Sequence, residues 1–282
     1  AICEMTPGLD YIERLRAKHQ VWISPSIFAS RALTYGYVKE PALNGKIIWG
    51  SICIKEDVDV FYQVDVGSGK DLAGTVVEKA DKQSILSVAT TLRDKARKLR
   101  RGDDVQYEKT QKGLLGKLPP WIIRILMRLL TFLEYNLGFD LSFLGAKKDA
   151  FGTMMISSVA KFGINVAYPP LFPVSRVPSV FLVSDVSDRA LVIDGEVVAR
   201  PTITLCSAMD HRFADGSQIA RILRATRAYF ADPDACEAEL AELGGYSAPE
   251  APPLEPADLV EEVIKDQEPV ASSEAKSEGG AE

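Results

Sequence analysis

A histidine four residues ahead of an aspartate and a glycine, in the segment AMDHRFADGSQ, is the arrangement in this chain best suited to chemistry. Imidazole takes and returns a proton near neutral pH, which is what general acid–base work requires. Of the two histidines, His19 and His211, only His211 falls where an extended run meets a helical one, a place where a scaffold presents side chains at a cleft. Plain architecture satisfies the same H-x-x-x-D-G pattern, with Asp215 as a helix N-cap, Gly216 as a turn residue and His211 as a hydrogen-bonded core ring. On these residues alone both readings stay open.

Other chemistries find less support. Cys3, Cys53, Cys206 and Cys236 are scattered, with no C-x-x-C pair and no metal-ligand spacing, so neither a disulfide framework nor a metal site is expected and a reducing cytoplasm fits best. The stretch VDVGSGKDLAG holds three glycines but matches no phosphate-cradling loop pattern. Residues 234–282 carry a charge balance of −12, which leaves +6 on residues 1–233. A mildly basic body attracts anionic ligands, yet its basic and aromatic residues form no stripe, so nucleic acid is not an expected partner. The start AICEMTPGLD has no basic or apolar leader region, so secretion is not expected, and the absence of an initiator Met implies sequence upstream.

The elements that must position His211 follow from periodicity. Thr6-Pro7 with Leu9, Ile12 and Leu15 reads as a helix, as does Ser24-Pro25 with Ile27, Phe28, Ala32 and Tyr35. Extended runs follow: KIIWGSICI, then VDVFYQVDV with Val58, Val60, Tyr62 and Val64 alternating, then LAGTVVE. A helix is predicted from Ser84 to about Leu99. Later, FGTMMISS and SVFLVSDVS read as strands and RALVIDGEVVARPTITLCSA as a hairpin turning at Asp194-Gly195; Asn44-Gly45 is predicted to turn as well. Helical period returns in DGSQIARILRATRAYF, with Ile219, Ile222, Leu223, Thr226 and Tyr229 inward and Pro233 as the stop. The domain is expected to span residues 1–233, followed by an acidic, mostly disordered tail over 234–282.

Residues 112–149 break this pattern with an apolar helical segment in which Arg124, Arg128, Thr131 and Tyr135 share one narrow face. Three roles are open to it: a lid or packing helix, a subunit contact, or a weak membrane contact through residues 118–135.

The resemblance extends beyond the histidine. FGTMMISSVAKFG resembles the Gly-Thr-x-x-Ile-Ser strand of the acyltransferase subunits of 2-oxoacid dehydrogenase complexes, and DHRFADG resembles their Asp-His-Arg-x-x-Asp-Gly signature. The two stand in the family's order, with Ser157 and His211 54 residues apart, close to the family's spacing. Upstream segments, among them SPSIFASRALTYGYVKEPALNGKI and ILSVATTLRDKARKLRRGD, run parallel to the same catalytic domain, so the similarity covers roughly residues 4–233 apart from the insert.

The resemblance implies an α/β (α+β two-layer) fold like that of chloramphenicol acetyltransferase, a mixed β-sheet with helices packed on one side, assembled as a homotrimer with its site between subunits. It implies coenzyme A as acyl-CoA substrate and a thiol acceptor, either a dihydrolipoyl group on another protein or a small thiol. His211 would be the general base, Ser157 the oxyanion donor and Asp215 a positioning group paired with an arginine upstream of residue 1; Ser68 and Lys70 would border the CoA channel. Strand alternation sends Ser157 and Ser158 to opposite faces, so only one of them can serve.

Departures matter too. The residues contain no lipoyl or peripheral-subunit-binding module, so a lipoyl group is expected only in trans or upstream, and the insert resembles a stand-alone bacterial branch. Two other readings remain: a catalytically silent trimer serving assembly or membrane recruitment, and an acyltransferase with an alcohol or amine acceptor.

Overall fold

A computed structural model describes residues 1–66, 72–101, 119–139 and 149–246. Helix α1, Thr6–His19, begins with Pro7 in its first turn, where the missing N–H has no intrahelical partner to lose, and stops at Gln20, which turns left-handed at φ 54°. Helix α2, Pro25–Lys39, is capped by the Ser24 hydroxyl, which accepts from the Ile27 N–H at 3.3 Å. From Ile27 to Tyr37 every residue of α2 is buried, polar Ser30, Arg31 and Thr34 included, so this helix is the centre of its layer.

The strands are β1 Ile2–Glu4, β2 Gly45–Ile48, β3 Ser51–Ile54, β4 Val60–Asp65, β5 Leu72–Val77, β6 Met154–Ser158, β7 Ser179–Val183, β8 Ser187–Ile193 and β9 Glu196–Met209. Seven of them form one sheet in the order β1-β9-β7-β6-β4-β5, with β8 also on β9. The β4–β6 and β6–β7 pairs are parallel and the remaining pairs antiparallel, so the sheet is mixed, as expected. The β8–β9 hairpin turns at Asp194 and Gly195, both at positive φ, where the sequence predicts it.

Helices α3 (Ile85–Arg101), α5 (Gly216–Ala231) and α6 (Pro233–Gly244) join α1 and α2 on one face of the sheet. Val60, Tyr62, Met154, Ile156, Phe181 and Val183 point into that layer, while Phe61, Met155 and Val180, one residue out of step, point to the other face. Phe28 of α2 is fully buried with Tyr229 and Phe230 rings 5.4 and 5.2 Å from its own; truncation to alanine there costs ~3–5 kcal/mol. At Gly36 a Cβ would come within 3.0 Å of Ile222 and Thr226, so the small residue sets how closely α2 crosses α5.

Three expectations are corrected. KIIWGSICI is not one extended run but the β2–β3 hairpin, reversing at Trp49 (φ 53°) and Gly50 (φ 76°); the turn was hidden because a tryptophan seldom takes positive φ. Asn44-Gly45 does not form a turn of its own: Asn44 ends the Pro41–Leu43 3-10 turn and its amide donates to the Lys55 and Asp57 carbonyls at 2.9 Å, while Gly45 starts β2. Nor does the packed domain end at residue 233. Pro233 opens α6, whose Leu240 is fully buried and whose Glu237 carboxylate accepts from the buried Arg31 guanidinium at 2.8 and 2.9 Å. The acidic composition concealed a helix that supplies the counter-charge of an arginine in the core; the tail from residue 247 lies outside the described residues.

Of the insert, helix α4 (Pro120–Thr131) and a π-helical turn (Phe132–Asn136) are described. Trp49 holds this piece: its indole N–H donates to the Asn136 carbonyl at 2.5 Å and its ring meets Phe132 edge-on at 5.6 Å. Below, the buried Lys46 ammonium pairs with Asp149 and lies 3.3 Å from the Tyr135 hydroxyl, tying the insert to β2. No described helix is long and apolar enough to cross a membrane.

Candidate active site

His211 sits on a tight turn directly after β9. The Asp210 N–H donates to the Pro178 carbonyl at 2.7 Å, and the Asp210 carbonyl accepts from the N–H groups of Phe213 and Ala214 at 2.9 and 3.1 Å. Phe213 and Ala214 are buried and anchor the turn, which leaves His211 and Arg212 exposed. The residues before and after His211 pair with each other: the Asp210 carboxylate accepts from Arg212 Nε at 3.0 Å and Nη2 at 2.6 Å. These hydrogen bonds from the guanidinium hold the Asp210 carboxyl below its usual range. The Asp210–Arg212 pair was missed in the sequence, although the two residues flank the histidine.

Asp215 occupies the N-cap of α5. Its carboxylate accepts from the Gln218 N–H and the Ser217 hydroxyl, both at 2.8 Å, while the Gln218 side chain reaches back to the Asp215 N–H at 3.0 Å. These bonds, that from Gln218 first, lower its pKa. This capping box fixes the direction in which the chain leaves the His211 turn. Asp215 forms no ion pair with an arginine among the described residues.

Ser157 lies near the end of β6. Ser158 next to it faces the helical layer, where its hydroxyl is 2.9 Å from that of Ser26 in α2. Alternation therefore puts Ser157 on the opposite face, in the row it shares with Leu182 and Cys206, and its hydroxyl has no partner among the described residues.

The fold does not bring Ser157 and His211 together within one protomer. Ser157 pairs with Leu182 and Leu182 with Cys206; Met209 is three residues farther along β9, so at ~3.3 Å per residue and ~4.8 Å per strand its Cα is ~14 Å from that of Ser157. His211 lies two residues beyond. Ser68 and Lys70 fall outside the described residues.

A cleft of about 700 Å³ opens beside the His211 turn, bordered by Asp210 and Arg212, by Arg124, Arg128 and Thr131 of α4, and by Arg176. The shared face of Arg124, Arg128 and Thr131 was evident from their spacing, whereas the wall opposite them, residues 171–178, carried no sequence signal. Among the described residues, no three His, Cys, Asp or Glu side chains group to hold a metal ion.

Comparison with known proteins bears on this arrangement. Residues 147–237, which hold both β6 and the His211 turn, match the family described as 2-oxoacid dehydrogenases acyltransferase (catalytic domain). Over 211 residues the chain is 24% identical to a probable dihydrolipoyllysine-residue succinyltransferase component of the mitochondrial 2-oxoglutarate dehydrogenase complex of Schizosaccharomyces pombe, covering 73% of this chain and 37% of that protein. It is 22% identical to the corresponding component from Bartonella vinsonii subsp. berkhoffii, covering 79% and 44%. The chain thus spans less than half the length of these relatives.

Among solved structures, the cubic core of the pyruvate dehydrogenase multienzyme complex superposes with a TM-score of 0.62 at 18% identity, covering 84% of this chain and 81% of that one. A probable dihydrolipoamide acetyltransferase from Listeria monocytogenes gives 0.60 at 18% identity, covering 82% of each chain. The dihydrolipoamide acetyltransferase of Azotobacter vinelandii, studied for the roles of a serine, a histidine and an asparagine in its catalytic mechanism, gives 0.61 at 18% identity, covering 84% and 81%. The mixed sheet with its helical layer is the fold of these acyltransferase cores, and the resemblance read from the sequence motifs is to the same family.

Proposed function

We propose that this chain is a CoA-dependent acyltransferase that moves an acyl group between CoA and a thiol, with a dihydrolipoyl group as acceptor, at a site completed by a second copy of the chain in a trimer. The observation that carries this reading is the separation of an exposed His211 from a Ser157 hydroxyl without a partner. A base must come within ~3 Å of the proton it removes and an oxyanion donor equally close to the same reacting carbonyl. With its strand positions ~14 Å or more apart, one protomer cannot meet both demands. The imidazole of one copy facing the Ser157 side of the next meets them.

His211 removes the proton of the acceptor thiol as its sulfur attacks the thioester carbonyl. The carbonyl becomes a tetrahedral oxyanion, to which the Ser157 hydroxyl donates a hydrogen bond. Collapse breaks the bond to the CoA sulfur, and the imidazolium returns its proton to that thiolate. Asp215 does not touch the substrate; through its cap on α5 it orients the turn. Ser157, His211 and Asp215 are this chain's candidates for the serine, histidine and asparagine examined in the Azotobacter enzyme. The lipoyl group is supplied by another protein, or a small thiol takes its place. Four free thiols, Cys3, Cys53, Cys206 and Cys236, suit a reducing cytoplasmic setting.

A second reading, a silent assembly or recruitment module, is favoured by the apolar outer side of α4, where Trp121, Ile125 and Leu129 are each more than half exposed. Release of CoA from acetyl-CoA and succinyl-CoA with dihydrolipoamide, followed by chromatography of acyl-CoA, CoA and S-acyldihydrolipoamide because the exchange conserves free thiols, separates the readings. Native protein should turn over and His211→Ala should lose ~10²–10⁴-fold. Equal background rates in both would leave the silent module, and release only with an alcohol or amine would reassign the acceptor.

A further inference from the structure

We infer that the cleft between α4 and residues 171–178 is a binding site for a phosphate-bearing ligand, held by Arg124, Arg128, Arg176 and Arg212. On helix α4 and the turn after it Trp121, Ile125, Leu129 and Phe132 are exposed, at 64, 58, 51 and 40%, while the two arginines of α4, also exposed and one helical turn apart, border the cleft.

Among the described residues only the Asp210 carboxylate stands against the charge gathered there. Arg124 and Arg128 have no hydrogen-bond or ion-pair partner among the described residues, and Arg176 makes only a 3.5 Å contact with the Asn136 side-chain oxygen. Among the described residues Asp210 is the sole carboxylate on the cleft wall, and it is already engaged by Arg212. Among the described residues four guanidiniums against one carboxylate leave +3 in a cleft also lined by the apolar Ile47, Phe172 and Val177. Such groups repel one another until an anion joins them.

The excess charge selects the ligand class. A single carboxylate would leave most of it unbalanced, whereas a phosphate ester or pyrophosphate brings two or more negative charges and oxygens that guanidinium forks grip in pairs. At about 700 Å³ the cleft accepts an organic body along with the phosphate. None of His211, Ser157 or Asp215 forms this grip; where the ligand is CoA the inference rests on the proposed function, and where it is another phosphate it stands apart from the transfer chemistry.

Two sources carry the same chemistry, a soluble phosphate ester or the headgroup of an anionic phospholipid reached along the apolar side of α4. The full chain is titrated calorimetrically with inorganic pyrophosphate and with CoA, and in parallel sedimented with phosphatidylglycerol or phosphatidylcholine vesicles. Arg124→Gln/Arg128→Gln should weaken binding at least tenfold and reduce its dependence on salt. Arg212→Gln should weaken it by a smaller factor, and Arg224→Gln, on exposed α5 surface, should leave it unchanged. His211→Ala should bind as native does, so that a dead enzyme with an intact cleft is recognised. Saturable binding of pyrophosphate or CoA that the double variant loses supports a soluble ligand; sedimentation with phosphatidylglycerol alone, lost likewise, supports the lipid. Binding to none of the probes, or equal binding by native and double variant, overturns the inference.

Discussion

Ser157 and His211 stand toward opposite ends of two strands separated by β7: β6 delivers the serine near its C-terminal end, whereas β9 runs the other way and releases the histidine beside the start of β7. No side-chain rotation closes that gap. The sheet topology therefore separates the proposed base and the proposed oxyanion donor in each protomer, and the proposed association would reunite them.

Ser157 and Ser158 should differ sharply when replaced. Ser157→Ala is expected to lower acyl transfer by ~10²–10³-fold without changing stability, the usual loss of one oxyanion donor. Ser158→Ala should leave the rate within a few-fold and cost ~0.5–1.5 kcal/mol of stability through the lost bond to Ser26. Initial rates paired with urea melts decide between the two serines.

For Asp215, Asp215→Ala should cost ~0.5–2 kcal/mol because the α5 cap is lost, while Asp215→Asn, an equally good cap, should retain stability. If its part in transfer is orientation alone, kcat should fall with Asp215→Ala and be restored by Asp215→Asn, at unchanged KM for CoA. A loss of equal depth in both variants would mean that its charge matters directly.

Asp149 makes the anchor of the insert sensitive to pH. Burial alone would raise its carboxyl, but the ammonium groups of Lys46 and Lys55 outweigh burial and hold it below the usual carboxylate range. As pH falls the unfolded chain takes up the proton first, so the stabilisation is complete above ~3.9 and fades as pH drops through the lower folded value. Asp149→Asn, which tolerates the left-handed backbone at φ 56°, should cost ~3–5 kcal/mol by leaving Lys46 buried without a counter-charge. Melting curves between pH 3 and 7 should converge at the acid end if this is the mechanism.

Helix α6 is an integral part of the domain. Glu237→Ala should destabilise by ~3–5 kcal/mol, since the Arg31 guanidinium, 1% exposed, would lose its carboxylate. Chemical denaturation against native protein measures this, and a loss below ~1 kcal/mol would show that Arg31 is satisfied without α6.

Much of this was readable from residue order. Alternation in VDVFYQVDV located β4 and its inward face, Ser24-Pro25 located the start of α2, and Asp194-Gly195 located the β8–β9 turn, because each signal is local. The Ser157–Ser158 division also followed from alternation, although which serine faced the helices waited on Ser26. What escaped depended on distant partners: Glu237 looks like one more acid in an acidic tail until Arg31 is seen across the core. The Asp210–Arg212 pair and the arginine cleft likewise arise only when α4 meets residues 171–178.

Mixing two inactive variants tests the shared site most directly. His211→Ala and Ser157→Ala chains, co-refolded in equal amounts, should regain activity, because each mixed trimer rebuilds one native pairing, ~25% of all sites if assembly is random. A mixture no more active than its separate components would contradict a site divided between copies.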